Sequence, residues 1–164
     1  MRKAALLLCV FLLAPVAAHA QKYDLFAGYS FARYEQMGGD ENTSGWEASL
    51  AYKFTPYMAV VGEITGNYGT LFQKSMNAHN YYVGGQIMLP ARYSPFVHVM
   101  LGRMRVSIPG VAHGAFSTEW GGGLDIRVNH YFSVRAIEAD VVTGTAKSLT
   151  SEDAHITAGI VFHF

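Results

Sequence analysis

Cysteine is nearly absent from this chain. Cys9 is its single cysteine, and it lies in an apolar run close to the amino terminus. Residues 1–20 begin with two basic residues after Met1, continue without charge and end in Ala-His-Ala, which is typical of a cleaved secretory signal peptide. The run is shorter than the roughly 20 apolar residues that a transmembrane helix requires. We therefore expect a mature chain of residues 21–164 without cysteine, which excludes a disulfide framework.

A second long apolar run and an excess of one charge are also missing. The chain has 12 basic and 12 acidic residues, and 10 of the basic residues remain after the removal of Arg2 and Lys3. This balance excludes the basic surface of a nucleic-acid-binding protein. The histidines lack the paired spacings of zinc sites, so we expect no metal and no cofactor. The length predicts one domain over residues 21–164.

Alternation of apolar and polar residues is what the mature chain has in abundance. In the final stretch every second residue from Ala154 to Phe164 is apolar, and this period of two predicts a strand. The pattern occurs eight times, over residues 23–34, 46–55, 57–67, 79–89, 96–106, 118–128, 132–142 and 152–164. The fifth segment is apolar on both faces; we place outward Val97, Val99 and Leu101, and inward His98, Met100 and Gly102.

The connections between these segments alternate in length. Short connections at 55–56, 90–95 and 129–131 are expected at one rim, and long polar or Gly-rich loops at 35–45, 68–78, 107–117 and 143–152 at the other. A lipocalin-like soluble barrel would direct the apolar face inward, whereas a membrane barrel would direct it toward lipid. Strand length, loop asymmetry and aromatic residues near the strand ends favour the membrane barrel, with periplasmic termini on the short-turn rim. The aromatic residues expected in two belts are Tyr23, Phe54, Tyr57, Tyr131, Phe132, Phe162 and Phe164, and opposite them Phe31, Trp46, Tyr81 and Phe116.

Three stretches carry a family resemblance: Asp24 to Ser30, Trp120 to Asp125 and Gly159 to Phe164. They resemble the small eight-stranded outer-membrane barrels, which include the opacity-type porin-like proteins and the transmembrane domain of outer-membrane protein A. The resemblance implies an all-β, eight-stranded antiparallel up-and-down transmembrane β-barrel, a monomer surrounded by outer-membrane lipid and lipopolysaccharide. It also implies that Phe164, with Phe162 and Ile160, is the signal recognised by the outer-membrane barrel assembly machinery.

The seventh segment does not keep its alternation. With Arg135 facing inward, regular alternation would place Glu138 and Asp140 on the face toward lipid. One extra residue near Ala136-Ile137, a β-bulge, would return both acids to the interior beside Arg135. The alternative is a strand end that has already left the bilayer. We predict the bulge.

Nine charged residues are predicted to face the lumen: Glu47, Lys53, Glu63, Glu119, Asp125, Arg127, Arg135, Glu138 and Asp140. They could line a narrow pore or form an internal ion-pair network that fills the barrel. Eight strands leave an interior only wide enough for side chains, and buried charges must be paired, so we predict the network. The expected function is a non-enzymatic surface scaffold that displays four extracellular loops, with a narrow channel as the alternative.

An enzyme that modifies lipid A is the third hypothesis. His155 and Thr157 place a base and a hydroxyl on one strand, with Glu152 and Asp153 nearby. The family pattern has Ser at the second place, and no oxyanion site is visible, so we interpret the pair as interior polar residues. The glycines 121–123 are predicted to ease strand curvature or to make room for a facing Tyr or Trp.

Overall fold

The structure is a computed structural model that describes residues 21–36, 39–71, 74–108, 111–146 and 149–164, with side chains described outside 33–42, 70–76, 106–113 and 145–153. It contains eight strands: β1 Tyr23–Gln36, β2 Gly39–Thr55, β3 Met58–Leu71, β4 Lys74–Met88, β5 Tyr93–Ile108, β6 Val111–Arg127, β7 Phe132–Ala146 and β8 Leu149–His163. Within these ranges there is no helix of the length and hydropathy needed to cross a membrane. The signal peptide, 1–20, lies outside the described residues and stays a prediction.

The strands close into a barrel. Each pairs antiparallel with its neighbours along the chain, and β1 also pairs with β8. Tyr23 and Phe164 exchange two backbone hydrogen bonds of 2.9 Å at this seam. Closure removes edge strands, so the backbone polar groups are satisfied within the sheet. The predicted fold, an antiparallel up-and-down barrel, is confirmed. We call the rim that carries Tyr23 and Phe164 the terminal rim, and the opposite one the hairpin rim.

The barrel directs its apolar residues outward. In β5, Val97 and Val99 are 60% and 63% exposed, whereas His98 is 4% exposed and Met100 is fully buried. The predicted orientation of this strand is confirmed. The same alternation continues around the barrel, where exposed Leu, Ile, Val and aromatic residues surround a lumen of buried Glu, Asp, Asn, Ser, Thr and His. This is the arrangement of a barrel that faces lipid, and it is the reverse of a soluble lipocalin-like barrel.

The two predicted groups of aromatic residues lie on the outer surface. Tyr57 and Tyr131 near the terminal rim are exposed, as are Tyr81 and Phe116 toward the hairpin rim. Phe132 and Phe164 are half-buried, and Phe164 stacks on Tyr23 with 5.9 Å between the ring centroids. Aromatic girdles of this kind mark the two interfaces of a membrane barrel.

The prediction of four long loops is wrong. Residues 35–45, 68–78, 107–117 and 143–152 are largely strand, and only two residues separate the strands of each hairpin at this rim. At the terminal rim the connections are 56–57, 89–92 and 128–131, so the expected asymmetry in connection length is absent. Beyond the apolar band neither face of a strand contacts lipid, so apolar and polar residues no longer alternate there. The backbone hydrogen bonds between the strands nevertheless continue. Polar strand extensions therefore look like loops in the sequence.

The bulge in β7 is confirmed. Arg135 pairs with Gly159 and Glu138 with Thr157, so Ala136 and Ile137 together lie opposite the single residue Ala158. Both bulged residues are exposed on the outer surface. Glu138 and Asp140 consequently face the lumen, where they are 1% and 4% exposed.

Candidate functional site in the barrel lumen

The lumen opens at the terminal rim into a cavity of about 560 Å³, which we call the vestibule. Its polar lining residues include Lys22, Asp24, Lys53, Asp125, Arg127, Ser133 and His163. They come from β1, β2, β6, β7, β8 and the residues before β1, because these strand ends converge at this rim. The vestibule contains charges of both signs.

Four side chains form a hydrogen-bonded group across the seam beside the vestibule. Lys53 Nζ donates to Asp24 Oδ1 at 2.7 Å, and the same oxygen lies 2.6 Å from His163 Nδ1. His163 Nε2 lies 2.7 Å from Ser133 Oγ. The order Ser–His–Asp is that of a hydrolase triad, but such a nucleophile also requires free donors for an oxyanion. Ser133 lies within the ladders that β7 forms with β6 and β8, so we interpret this group as a structural link between four strands.

Arg135 separates the vestibule from the rest of the lumen. Its Nε donates to Asp125 Oδ1 at 2.8 Å, and its Nη1 donates to Glu138 Oε2 at 2.9 Å. The guanidinium carbon lies 4.3 Å from the ring centroids of both Phe26 and Phe96. Two carboxylates satisfy the charge and two rings cover its faces, which is favourable for a buried guanidinium. In a barrel of this width the group acts as a plug.

Beyond this plug lies a set of carboxyl groups, which we call the acidic cluster: Glu47, Glu63, Glu119, Glu138 and Asp140. His98 of β5 lies among them. Its Nε2 is 2.8 Å from Asp140 Oδ1 and 4.0 Å from Glu119 Oε1, and its Nδ1 is 3.6 Å from Glu138 Oε1. All of these side chains are buried, so one imidazole is surrounded by three carboxyl groups in a space closed to solvent.

The predicted pair His155 and Thr157 also faces the lumen. Thr157 Oγ1 donates to Glu47 Oε2 at 2.7 Å, and both residues of the pair are buried. The pair therefore lies inside the barrel, and Thr157 satisfies a buried acceptor of the acidic cluster. This geometry agrees with their interpretation as interior polar residues.

The predicted charged set is brought together with one exception. Glu47, Glu63, Glu119, Glu138 and Asp140 form the acidic cluster, Arg135 and Asp125 form the plug, and Lys53 joins the seam group. Arg127 differs from the others: it lines the vestibule, as its inward phase predicts, but it is exposed at the terminal rim where β6 ends and is not buried with the rest of the set. Its position in the alternation was inward, but at the last residue of a strand the interior is open to solvent.

Solved structures supply the comparison for this arrangement. The chain is similar to Neisserial surface protein A (10% identity over 87% of this chain and 97% of that one, TM-score 0.75). It is also similar to Ail, the attachment invasion locus protein of Yersinia pestis (15% identity, 88% and 100% covered, TM-score 0.62), and to the N-terminal β-barrel domain of Pseudomonas aeruginosa OprF (13%, 89% and 100%, TM-score 0.57). The fold is that of the small outer-membrane barrels. No protein-family model and no curated protein sequence matches the chain.

Glycines of this outer-membrane-barrel fold make room for the large lumen side chains. A Cβ added at Gly121 would lie 2.1 Å from Asp140 Oδ1, and one at Gly123 would lie 2.8 Å from the Phe96 ring. The predicted role of making room for a facing side chain is confirmed, but the partners are an Asp and a Phe and not a Tyr or Trp. The sequence could not identify these partners because both lie on other strands. The alternative, eased strand curvature, stays a prediction.

Three residues with central contacts were not singled out from the sequence as site residues. His98 has one imidazole among carboxyl groups that are distant in the chain, and Asp24 and His163 are 139 positions apart. The search for linear histidine spacings could not detect them, since a barrel assembles its lumen from alternate residues of all strands. Neighbours in the lumen are inward-facing residues that lie at the same height along the barrel axis. Identifying them requires the register between the strands, which the sequence does not provide.

Proposed function

We propose that this chain is an integral outer-membrane protein that serves as a non-enzymatic scaffold in the membrane. The observation that supports this proposal is which face of the alternating strands points outward. Apolar side chains cover the outside of a closed barrel, and the charged side chains are turned into a plugged lumen. An exposed apolar band of this extent is unfavourable in water and favourable in lipid.

Membrane embedding is tested by fractionation and electrophoresis. We expect the protein in the outer-membrane fraction, and we expect the unheated protein to migrate differently from the boiled protein on an SDS gel. Recovery in the soluble periplasmic fraction, with no difference on heating, would contradict the proposal.

The surface role is supported by the four hairpins that extend the barrel at the hairpin rim. Two of the similar structures are a surface protein and an attachment protein, and Ail has also been solved with the heparin analogue sucrose octasulfate. We propose that these hairpins, in place of the expected long loops, present the interaction surface. The partner class stays open, and lipopolysaccharide contact, the assembly machinery and a monomeric state remain predictions.

Hairpin orientation is tested with two matched insertions. An epitope placed between residues 38 and 39 should be labelled by antibody on intact cells. The same epitope placed between residues 56 and 57, at the terminal rim, should be labelled only after the outer membrane is permeabilised. The reverse pattern would place the terminal rim outside.

A narrow channel is the second candidate, and the open vestibule is the observation that favours it. The plug at Arg135 weighs against ion flow, because its ion pairs and the two rings are packed together in the narrow lumen of an eight-stranded barrel. We expect the purified barrel to show no stable single-channel conductance in planar bilayers. Regular conductance steps would favour the channel.

The third hypothesis, an enzyme that modifies lipid A, is tested at His155. If the chain has no such activity, lipid A acylation should be unchanged in a strain that carries His155→Ala.

A further inference from the structure

The strongest unexplained feature lies at the centre of the acidic cluster. One ligand atom each from His98, Glu138 and Asp140 lies within 4.8 Å of the other two. His98 comes from β5, and Glu138 and Asp140 are two successive inward-facing residues of β7 just after the bulge. Without the bulge Glu138 and Asp140 could not share the face that opposes His98. The fold therefore converges a nitrogen donor and two oxygen donors on one point.

Several of the converging atoms lack the hydrogen bonds that buried polar groups require, whereas both oxygens of Glu138 accept from Arg135 Nη1. His98 Nε2 and Asp140 Oδ1 are 2.8 Å apart, yet neither makes an aligned hydrogen bond within the described residues. Both carboxyl oxygens of Glu119, which is 1% exposed, also lack a donor there. Its carboxyl neighbour Glu63 serves as a donor only while one of the two groups holds a proton. Buried acceptors without donors are costly, and their convergence indicates a missing positive centre.

Charge leads to the same conclusion. The described lumen beyond the vestibule contains the five carboxyl groups of the acidic cluster. Its one described guanidinium is Arg135, which also binds Asp125 in the vestibule lining. Arg135 is already bound to Asp125 and Glu138. Glu119 and Asp140 therefore face His98 without a permanent cation of their own. Two or more negative charges in this space require neutralisation.

We propose that His98, Glu138 and Asp140, with Glu119 as a fourth donor, bind a divalent transition-metal ion inside the barrel. One imidazole nitrogen with several carboxylate oxygens suits Zn²⁺, Mn²⁺ or Fe²⁺, whereas Ca²⁺ and Mg²⁺ prefer oxygen ligands alone. The ion would join β5, β6 and β7 through the lumen and neutralise the acidic cluster. This structural role is independent of the surface role proposed above.

Entry of the ion has a consequence that can be measured. The cluster is buried and Arg135 lies between it and the vestibule, so we expect the ion to enter while the barrel folds. The full mature chain is refolded into detergent micelles with Zn²⁺, with Mn²⁺ or with a chelator, and excess metal is then removed. We expect about one ion per barrel by elemental analysis when metal is present during refolding, and much less when it is added afterwards.

Variants distinguish this site from incidental binding. His98→Asn and Asp140→Asn should each reduce the apparent metal affinity at least about tenfold, since even residues behind the ligands change affinity by that amount. His130→Asn, at an exposed histidine of the terminal rim, should retain the metal. X-ray absorption of the Zn²⁺-loaded wild-type protein should show one imidazole with oxygen ligands, and this measurement does not depend on any variant folding.

Three results would overturn the proposal. A heat-modifiable wild-type barrel that retains no metal would show that protons, and no metal ion, neutralise the cluster. Equal metal content in wild type and in both lumen variants, or an absorption spectrum without imidazole, would indicate an adventitious ion only.

Discussion

Arg135 contacts two carboxyl groups and two aromatic rings in the lumen. It binds Asp125 and Glu138 and lies between Phe26 and Phe96. A buried ion pair adds little compared with an apolar pair of the same shape, but loss of one partner leaves the others buried and unpaired. The contribution of Arg135 is therefore best measured by its removal.

Arg135→Met should lower the free energy of unfolding by about 3–5 kcal/mol, because two carboxyl groups lose their cation in a buried space. Urea unfolding in detergent micelles, followed by tryptophan fluorescence, measures this change. Arg127→Met is the matched control: Arg127 is exposed, and its replacement should leave the unfolding midpoint unchanged. If both substitutions changed the free energy of unfolding equally, the buried ion pairs assigned to Arg135 would be contradicted.

Gly121→Ala tests the packing of the lumen at single-atom resolution. The new Cβ would lie 2.1 Å from Asp140 Oδ1 and 2.3 Å from the Ala139 carbonyl oxygen, so strand and side chain must shift. We expect a loss of about 1–3 kcal/mol in the same unfolding experiment. Gly85→Ala is its control, since a Cβ there has no neighbour within 4 Å. A neutral Gly121→Ala would mean that Asp140 does not occupy this position.

At the scale of the strand, the bulge in β7 decides which side chains enter the lumen. Ala136 is the additional residue, since Leu124 pairs with Ile137 and Asp125 with Arg135. Beyond the bulge the alternation is regular again. Removal of the additional residue leaves the following side chains on their present faces. Removal of a residue beyond the bulge turns every following side chain to the other face.

Deletion of Ala136 should leave a folded barrel, because Ile137 then takes the outward position and Glu138 and Asp140 still face inward. Deletion of Ala139, three residues later, should abolish folding because Asp140 and Val142 exchange faces with their neighbours. A carboxylate turned toward lipid costs roughly 3 kcal/mol. Heat-modifiable migration after refolding into lipid vesicles distinguishes the two. Folding of both deletions, or of neither, would contradict the assigned bulge.

At the scale of the whole molecule, closure depends on one seam. Two features join β8 to β1: the backbone ladder that ends at Tyr23 and Phe164, and the side-chain group around Asp24 and His163. This seam gives the last residue two distinct roles, one in the folded barrel and one in the predicted recognition by the assembly machinery.

Deletion of Phe164 should reduce the amount of assembled barrel in cells several-fold while changing stability little. The stacked ring on Tyr23 is lost, but the remaining ladder of β1 and β8 and the seam group persist. Outer-membrane yield and the urea midpoint of protein refolded in vitro are compared for the deletion and for Tyr131→Ala, which removes an exposed aromatic at the same rim. A normal yield of the deletion in cells would exclude Phe164 as an assembly signal.

The sequence by itself determined the eight strands, their inward phase, the bulge and most of the charged lumen. These features follow from a period of two and from the cost of charge in lipid, and both are local properties of the chain. The tertiary structure decided the hairpin extensions, since the backbone ladder continues where alternation ends. It also decided which neighbours each lumen residue has. Arg127 reaches solvent, Gly121 faces Asp140, and His98 lies among three carboxyl groups. Those contacts depend on strand register and barrel closure, which place residues from distant parts of the chain at one height.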